Sequence, residues 1–477
     1  MTMSKRSIAA LAVFLVMAVL GGLCISWANR ALLDPIDKVE FDITDTFGDP
    51  SAAEGLKLET AEDSGLQLRH FYSTVYGAGG PETAVTHEFP RAQDVFSRRY
   101  SILYINADLE NAVKIQEFLK GEMAKLSAGE RKTVSIRAKD FYDYYPISVH
   151  WEQGTSYMDF ALFTDGDGDI LLYRQFQEAF RVPVPDDLVL NFLITCQTKD
   201  FGSIEFLPDQ SDPDMYRKVR FDFNGLLFDG AYYIASYNRA MALPEDLDQV
   251  ILRIPVGEYD ESVTADLKGP AKSITEGPLP EKMERWYVPE TPFVPADYQA
   301  LALSEDQKIL YIQTSDGNTT RVAALKEGAD KPFEIDVPDL GSVNNNFFLS
   351  GPDLILYKPG KAFHCVSPRP DGSLSLMSFP TGGSDRPLAL VLGHTGYYKV
   401  ASGGSRLAVC AVTLDSEKAS TGGSPPYTGI LTQVYTEDGL QYSSAMHSSI
   451  TDAAGYPRGD QQTWTTNDIH IQSFGWK

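Results

Sequence analysis

Short runs of alternating apolar and polar residues, separated by turn residues, recur through most of this chain, and no other feature constrains its fold as strongly. Leu226-Leu227-Phe228 is followed by Asp229-Gly230 and then by Ala231-Tyr232-Tyr233-Ile234. Lys308 to Gln313 is followed by Asp316-Gly317 and then by Thr320 to Leu325. Glycine supplies the positive φ that tight hairpins require, so each Asp-Gly pair between such runs predicts two antiparallel strands. Asp159 to Phe163, a turn, and Ile170-Leu171-Leu172-Tyr173 predict a further hairpin by the same pattern.

Asp-Gly turns near such runs start at Asp165 (repeated at once at Asp167), Asp229, Asp316, Asp371 and Asp438, and from Asp165 their spacings are an irregular 64, 87, 55 and 67 residues. A strict blade period of about 40 to 45 residues and a repeated Trp-Asp dipeptide are absent. The average interval still accommodates six or seven four-stranded units with insertions after Arg30. The fold class read from this is mainly β, a degenerate β-propeller-like ectodomain. Two or more β-sandwich or barrel domains would carry the same short strands and stand as the alternative.

The N-terminus is different in kind. Ser7 to Ala28 holds 22 residues without a charge, about 33 Å as a helix, against a hydrocarbon core of roughly 30 Å. Lys5 and Arg6 precede it, and Asp34 and Asp37 lie beyond Arg30, so the positive-inside bias puts the body outside the cytoplasm. Residues 1–30 therefore read as a membrane anchor. A signal peptide cut near Ala28, after Ser26-Trp27-Ala28, is the competing reading. Cys24 follows Leu23, where a lipoprotein signal normally has a small residue.

After the anchor, residues 31–269 read as the N-terminal half of the β-rich ectodomain and 296–477 as its C-terminal half. Between them, 270–295 carries six prolines in 26 residues, a density that excludes a regular helix or central strand and reads as a connector. One helix interrupts the β pattern: Asp108 is a candidate cap, and Val113, Ile115, Phe118, Leu119, Met123 and Leu126 recur at helical spacing. Ser420 to Pro426 has the composition of an exposed loop tip.

The Lys5-Arg6 anchor, the cysteine-poor acidic body and the Tyr/Phe-rich hairpins together resemble the uncharacterised single-pass, extracytoplasmic β-propeller-like proteins of Gram-positive bacteria. The resemblance implies location and fold class, and carries over no functional residue.

Charge narrows the partners. Lys plus Arg number 41 against 65 Asp plus Glu, a formal net charge of −24, which excludes the basic surface a nucleic-acid partner needs. Three cysteines beyond Cys24, at Cys196, Cys365 and Cys410, are too few for a disulfide framework.

Two strings suggest chemistry. No cofactor is expected, and calcium is the one left open: Asp165, Asp167 and Asp169 alternate with glycine and could converge oxygen ligands on it. Ile170 and Phe176 occupy the positions where an EF-hand needs Gly and Glu, and a polar hairpin tip has the same composition. The second string, Asp140 to Glu152, mixes aromatics with carboxylates as carbohydrate sites do. Asp140, Asp143 and Glu152 are its candidate acid and base groups, and Tyr144, Trp151 and His150 its candidate ligand contacts. Tyr and Trp also fill β-sheet cores, and a lone His is commonly structural. No G-x-S-x-G, H-E-x-x-H, Walker A, G-x-G-x-x-G or C-x-x-C signature occurs. The functional expectation is a membrane-anchored extracytoplasmic binding, sensing or scaffold protein without evident catalytic activity. Its partner would be an envelope protein or a cell-wall glycan. The alternative is a glycan or cell-wall polymer hydrolase using paired carboxylates.

Overall fold

The computed structural model describes residues 16–27, 41–64, 68–88, 100–154, 160–163, 171–198, 201–236, 243–258, 276–290, 301–315, 319–338, 340, 347–384, 398–414, 427–448 and 469–476. The body is mainly β. It divides into two compact units: the first combines residues up to Phe89 with those from Pro380 onward, and the second spans Pro90–Phe379. Helix α1 covers 16–27. Among the described residues no helix is long and apolar enough to cross a membrane; 7–15 and Ala28 of the expected anchor lie outside them.

The first unit takes its strands from both ends of the chain. β1 (Phe41–Gly48), β2 (Leu56–Ser64), β3 (Leu68–Gly77) and β4 (Gly80–Glu88) come early. From the far end come β24 (Tyr398–Ser402), β25 (Leu407–Leu414), β26 (Tyr427–Thr436), β27 (Gly439–Ser448) and β28 (Ile469–Trp476). They make two antiparallel sheets, ordered β1-β27-β26-β25-β24 and β28-β2-β3-β4. Each sheet thus mixes early with late strands: Phe41 lies opposite Ser448, and Leu56 opposite Trp476. Leu56, Leu58 and Tyr76 from one sheet meet Cys410, Val412, Val434, Tyr442 and Met446 from the other in a buried core. Trp476 closes it. Arg406 lays its guanidinium 3.9 Å from the Trp476 ring, and its Nη1 donates to the carbonyl of Ala52 at 2.9 Å. A Cβ at Gly403 would stand 2.3 Å from that ring, so glycine is what lets the indole lie flat.

The second unit is contiguous in sequence. It runs through β5 (Tyr100–Asp108), α2 (Val113–Met123), β6 (Arg131–Arg137), β7 (Ile147–Gly154), β8 (Phe160–Phe163), α3 (Leu171–Ala179), β9 (Val189–Thr198), β10 (Phe201–Leu207), α4 (Met215–Val219), β11 (Arg220–Phe228), β12 (Ala231–Ser236) and β13 (Val250–Glu258). A long sheet, β13-β12-β11-β5-β7-β8, packs against the three-stranded sheet β10-β9-β6. Leu103, Ile105 and Val149 from the first meet Val134, Phe192 and Ile194 from the second, with Ile115 and Leu119 of α2 and Phe176 of α3.

Two features here differ from the sequence reading. Leu171-Leu172-Tyr173 is not a strand: it opens α3, whose buried Phe176 and Gln, Glu and Ala residues suit a helix. Asp108 does not cap α2, whose N-cap is Ala112. Its carboxylate accepts from Asn111, N at 3.2 Å and Nδ2 at 2.7 Å, in the preceding turn. The described part of the Pro-rich stretch, 276–290, lies inside this unit as two short strands, β14 (Glu276–Pro278) and β15 (Glu284–Tyr287), both paired to β13.

Two four-stranded meanders follow. The first is β16 (Leu301–Leu303), β17 (Ile309–Ser315), β18 (Thr320–Lys326) and β19 (Phe333–Val337). The second is β20 (Phe347–Ser350), β21 (Asp353–Lys358), β22 (Ala362–Pro368) and β23 (Leu374–Pro380). The first meander is buried on both faces. Ile312, Ala323 and Leu325 meet Tyr233 and Ile251 of the long sheet, while Tyr311 and Val322 meet Leu354, Leu356 and Val366 of the second meander. Carboxylates at turns latch neighbouring sheets. Gly328 N donates to Asp229 Oδ2 at 2.9 Å, and Gly351 N donates to Glu305 Oε2 at 2.8 Å. The Tyr311 hydroxyl adds a bond to the carbonyl of Pro352.

Candidate functional site

The segment from Arg137 to Pro146 carries most of the described candidates, and its shape follows from one anchor. Tyr145 is buried, its ring lies 5.3 Å from Phe221, and its hydroxyl donates to the Lys218 carbonyl. Burial pushes its phenol well above the usual tyrosine range. On either side the backbone is fastened to 182–184: Tyr145 N donates to Val182 O at 3.0 Å, and Val184 N to Asp143 O at 3.1 Å. Lys139 Nζ bridges the same strip, donating to Asp143 O at 3.2 Å and lying 3.7 Å from Asp186 Oδ1.

With the backbone held this way, Asp140, Asp143 and Tyr144 are left on the solvent side. Tyr144 is 42% exposed, with the Arg181 guanidinium 4.3 Å from its ring centre. Asp140 ends a 3-10 turn, its carboxylate 57% exposed and taken by Arg137, Nη2 to Oδ1 at 2.8 Å and Nε to Oδ1 at 3.0 Å. Asp143 is exposed. The flanking aromatics are tied to α2: the Tyr142 hydroxyl accepts from Lys114 N at 3.0 Å, and Phe141 meets Phe118 edge to face at 5.3 Å.

The structure therefore brings Asp140, Asp143 and Tyr144 into one surface loop. It places the backbone of His150, Trp151 and Glu152 elsewhere, within β7 between β5 and β8, opposite Tyr104, Leu103 and Ile102. The side chains of those three residues lie outside the described part. Ile147 and Glu152 are separated by five residues of extended strand, about 17 Å at about 3.3 Å per residue, with Asp140 and Asp143 preceding the strand at its other end. A glycosidase pair needs its carboxyls within roughly 5 to 10 Å, and its acid needs apolar enclosure. Asp140 and Asp143 have solvent and cations around them instead. The loop offers a flat ring, a stacked guanidinium and free carboxylate oxygens, a set suited to binding.

Asp165, Asp167 and Asp169 lie outside the described residues, as does 420–426. Among the described residues no group of three or more His, Cys, Asp or Glu side chains is placed to hold a metal. Cys196, Cys365 and Cys410 are buried and unbridged, and burial pushes the Cys410 thiol up. The sequence reading passed over Arg181, which sits 37 residues from Tyr144 and comes beside it only through the bridge between Tyr144 and Pro183.

No family model matches the chain, and no curated protein matches it. Among solved structures it aligns with TolB from Acinetobacter baumannii at 10% identity, over 92% of this chain and 82% of that one, with a TM-score of 0.19. The NanB sialidase from Streptococcus pneumoniae aligns at 10% identity over 84% and 69%, with a TM-score of 0.21. A puromycin-hydrolyzing peptidase from Mycobacterium tuberculosis aligns at 12% identity over 82% of this chain and about half of its own length, 54%, with a TM-score of 0.15. Similarity at this level carries no argument about activity.

Proposed function

We propose that this chain is a membrane-tethered, extracytoplasmic binding or scaffold protein whose β-propeller-like body presents loops to an envelope component. The observation that carries the reading is the exposed Tyr144–Arg181 pair on a loop clamped by buried Tyr145. A rigid ring and a cation held in place before the ligand arrives lower the ordering cost of binding. A cell-wall glycan is the ligand class that fits, because sugar faces cover flat rings and hydroxyls bond to carboxylates such as Asp143. The four-stranded meanders β16–β19 and β20–β23 support the propeller-like part of the proposal. The uncharged stretch from Ser7 to Ala28 supports the tether, as do the apolar side chains of α1, from 53% exposed at Leu20 to 74% at Trp27.

The test is the melting temperature of the full chain in detergent against soluble cell-wall fragments, since any ligand of the native state raises it. A rise of several degrees that Tyr144→Ala abolishes is expected. No rise with any fragment would turn the search to an envelope protein. Turnover of a fragment that Asp143→Ala abolishes would replace binding by the hydrolase. A chelator-sensitive melt lost in Asp167→Asn would add calcium at Asp165, Asp167 and Asp169. Recovery of the body in the soluble fraction, trimmed near Ala28, would replace the tether by a cleaved signal peptide.

A further inference from the structure

We propose that the chain pairs with a second copy of itself through the free edge of β10, joining two three-stranded sheets into one six-stranded antiparallel sheet across a two-fold axis. Among the described residues the sheet β10-β9-β6 has two open edges, and the chain treats them differently. The β6 edge reads Arg131-Lys132-Thr133-Val134-Ser135-Ile136-Arg137, with three cations along seven residues. Charges of this kind repel another strand at an open edge. The β10 edge reads Phe201-Gly202-Ser203-Ile204-Glu205-Phe206-Leu207, with no proline, no cation and a single carboxylate. Among the described residues none of its backbone groups bonds outside the ladder with β9, and Phe201 at its start is 65% exposed. An edge of this length and composition is a template for another strand.

What selects a second copy is that β10 is complementary to itself. In a two-fold antiparallel pair, residues on the same face oppose one another. The register that uses the whole strand sets Ile204 against Ile204 of the second copy. On the solvent face, Phe201 then opposes Leu207 and Ser203 opposes Glu205. On the core face, Gly202 opposes Phe206, and Met123 Sδ fills the place of the missing side chain, 2.5 Å from where a Cβ would stand. No like charges meet. A shift by two residues that opposes Ser203 with Leu207 would set Glu205 against Glu205, so charge favours the full-length register.

The register gives a test by the sign of one charge. Ser203 is exposed and opposes Glu205 twice in each dimer, so S203E creates two like-charge pairs and S203K two opposite-charge pairs. Sedimentation of the full chain in detergent, over a concentration series up to about 0.5 mM, is expected to show a dimer that S203E weakens and S203K strengthens. The expected change is about 2- to 30-fold in each direction, with the far-ultraviolet circular dichroism of all three unchanged. In a C24S background, I204C is expected to form a disulfide-linked dimer, since opposed residues of two paired strands bring their Cα atoms within bridging range. A monomer throughout overturns the proposal. So does a dimer indifferent to both S203E and S203K, or the absence of the I204C cross-link. Assemblies growing past the dimer would instead assign β10 to the basic β6 edge of the next copy, and would overturn it too.

Discussion

The two units solve the same problem, burying the apolar faces of β-sheets against one another, by opposite routes. In the second unit each meander joins neighbours in sequence, and turns such as Asp229-Gly230, with φ of +45° and +73°, set the register on the spot. In the first unit both sheets depend on strands about 400 residues apart, Phe41 with Ser448 and Leu56 with Trp476. Local pairing spreads stability over many turns, whereas pairing of chain ends concentrates it on the few side chains that hold the last strand. Loop-closure entropy grows slowly with length, so distant pairing is tolerable in stability and costly mainly in rate.

The sharpest way to break this contrast is Trp476→Ala. Removing the ring from between Gly403 and Arg406 is expected to cost about 3–5 kcal/mol, with hydrogen exchange rising first in β2, β25 and β28. Exchange rising equally in β17 and β21 would mean that the units do not differ as described. In the second unit, Tyr311→Phe should cost about 1 kcal/mol in urea unfolding, because the buried Tyr311 ring loses its hydroxyl bond to the Pro352 carbonyl. Glu305→Ala removes one exposed latch to Gly351 and should cost about 1 kcal/mol or less. Gln307 sits at φ +58°, where a side chain is strained, so Gln307→Gly should gain about 0.5 kcal/mol and raise the melting temperature slightly.

The smallest effect concerns pH. Lys125 and Lys132 beside Glu122 hold its carboxyl down to about 2, against an ordinary 4.5. Its folded value is lowered, so the contribution is complete above about pH 4.5 and is lost as pH falls through about 2. Glu122→Gln should flatten the acid limb of a stability profile over that window while leaving the neutral limb in place.

How much of this was legible follows from where each signal sits. Strand content was legible because alternation is local, and the one helix read from the sequence, α2, holds through its buried Ile115 and Leu119. α3 was misread because a run as short as Ile170 to Tyr173 cannot separate strand from helix; the decisive residue, Phe176, lies further along. The irregular Asp-Gly spacing has a structural cause. Asp316-Gly317 falls between the second and third strands of its meander, whereas Asp371-Gly372 falls between the third and fourth. The steadier marker is the first turn of each set. Ser304 directly follows β16, and Ser350 and Ser402 end β20 and β24, at intervals of 46 and 52 residues; the Ser304 hydroxyl accepts from Ile309 N at 3.0 Å to shape its turn. The Tyr144–Arg181 pair left no local trace, since only the tertiary bridge to Pro183 joins them.

The pairing of chain ends also sets a clock on synthesis. β2, β3 and β4 can pair with one another as they emerge, but β1 waits for β27, and the other edge of β2 waits for β28, whose Trp476 follows 388 residues after Glu88. At about 5–20 residues per second that wait is roughly 20 to 80 s. The second unit can finish meanwhile from its own contiguous strands. A nascent chain stalled between Pro380 and β28 would carry the contiguous unit complete and, in the other, early strands still lacking their late partners.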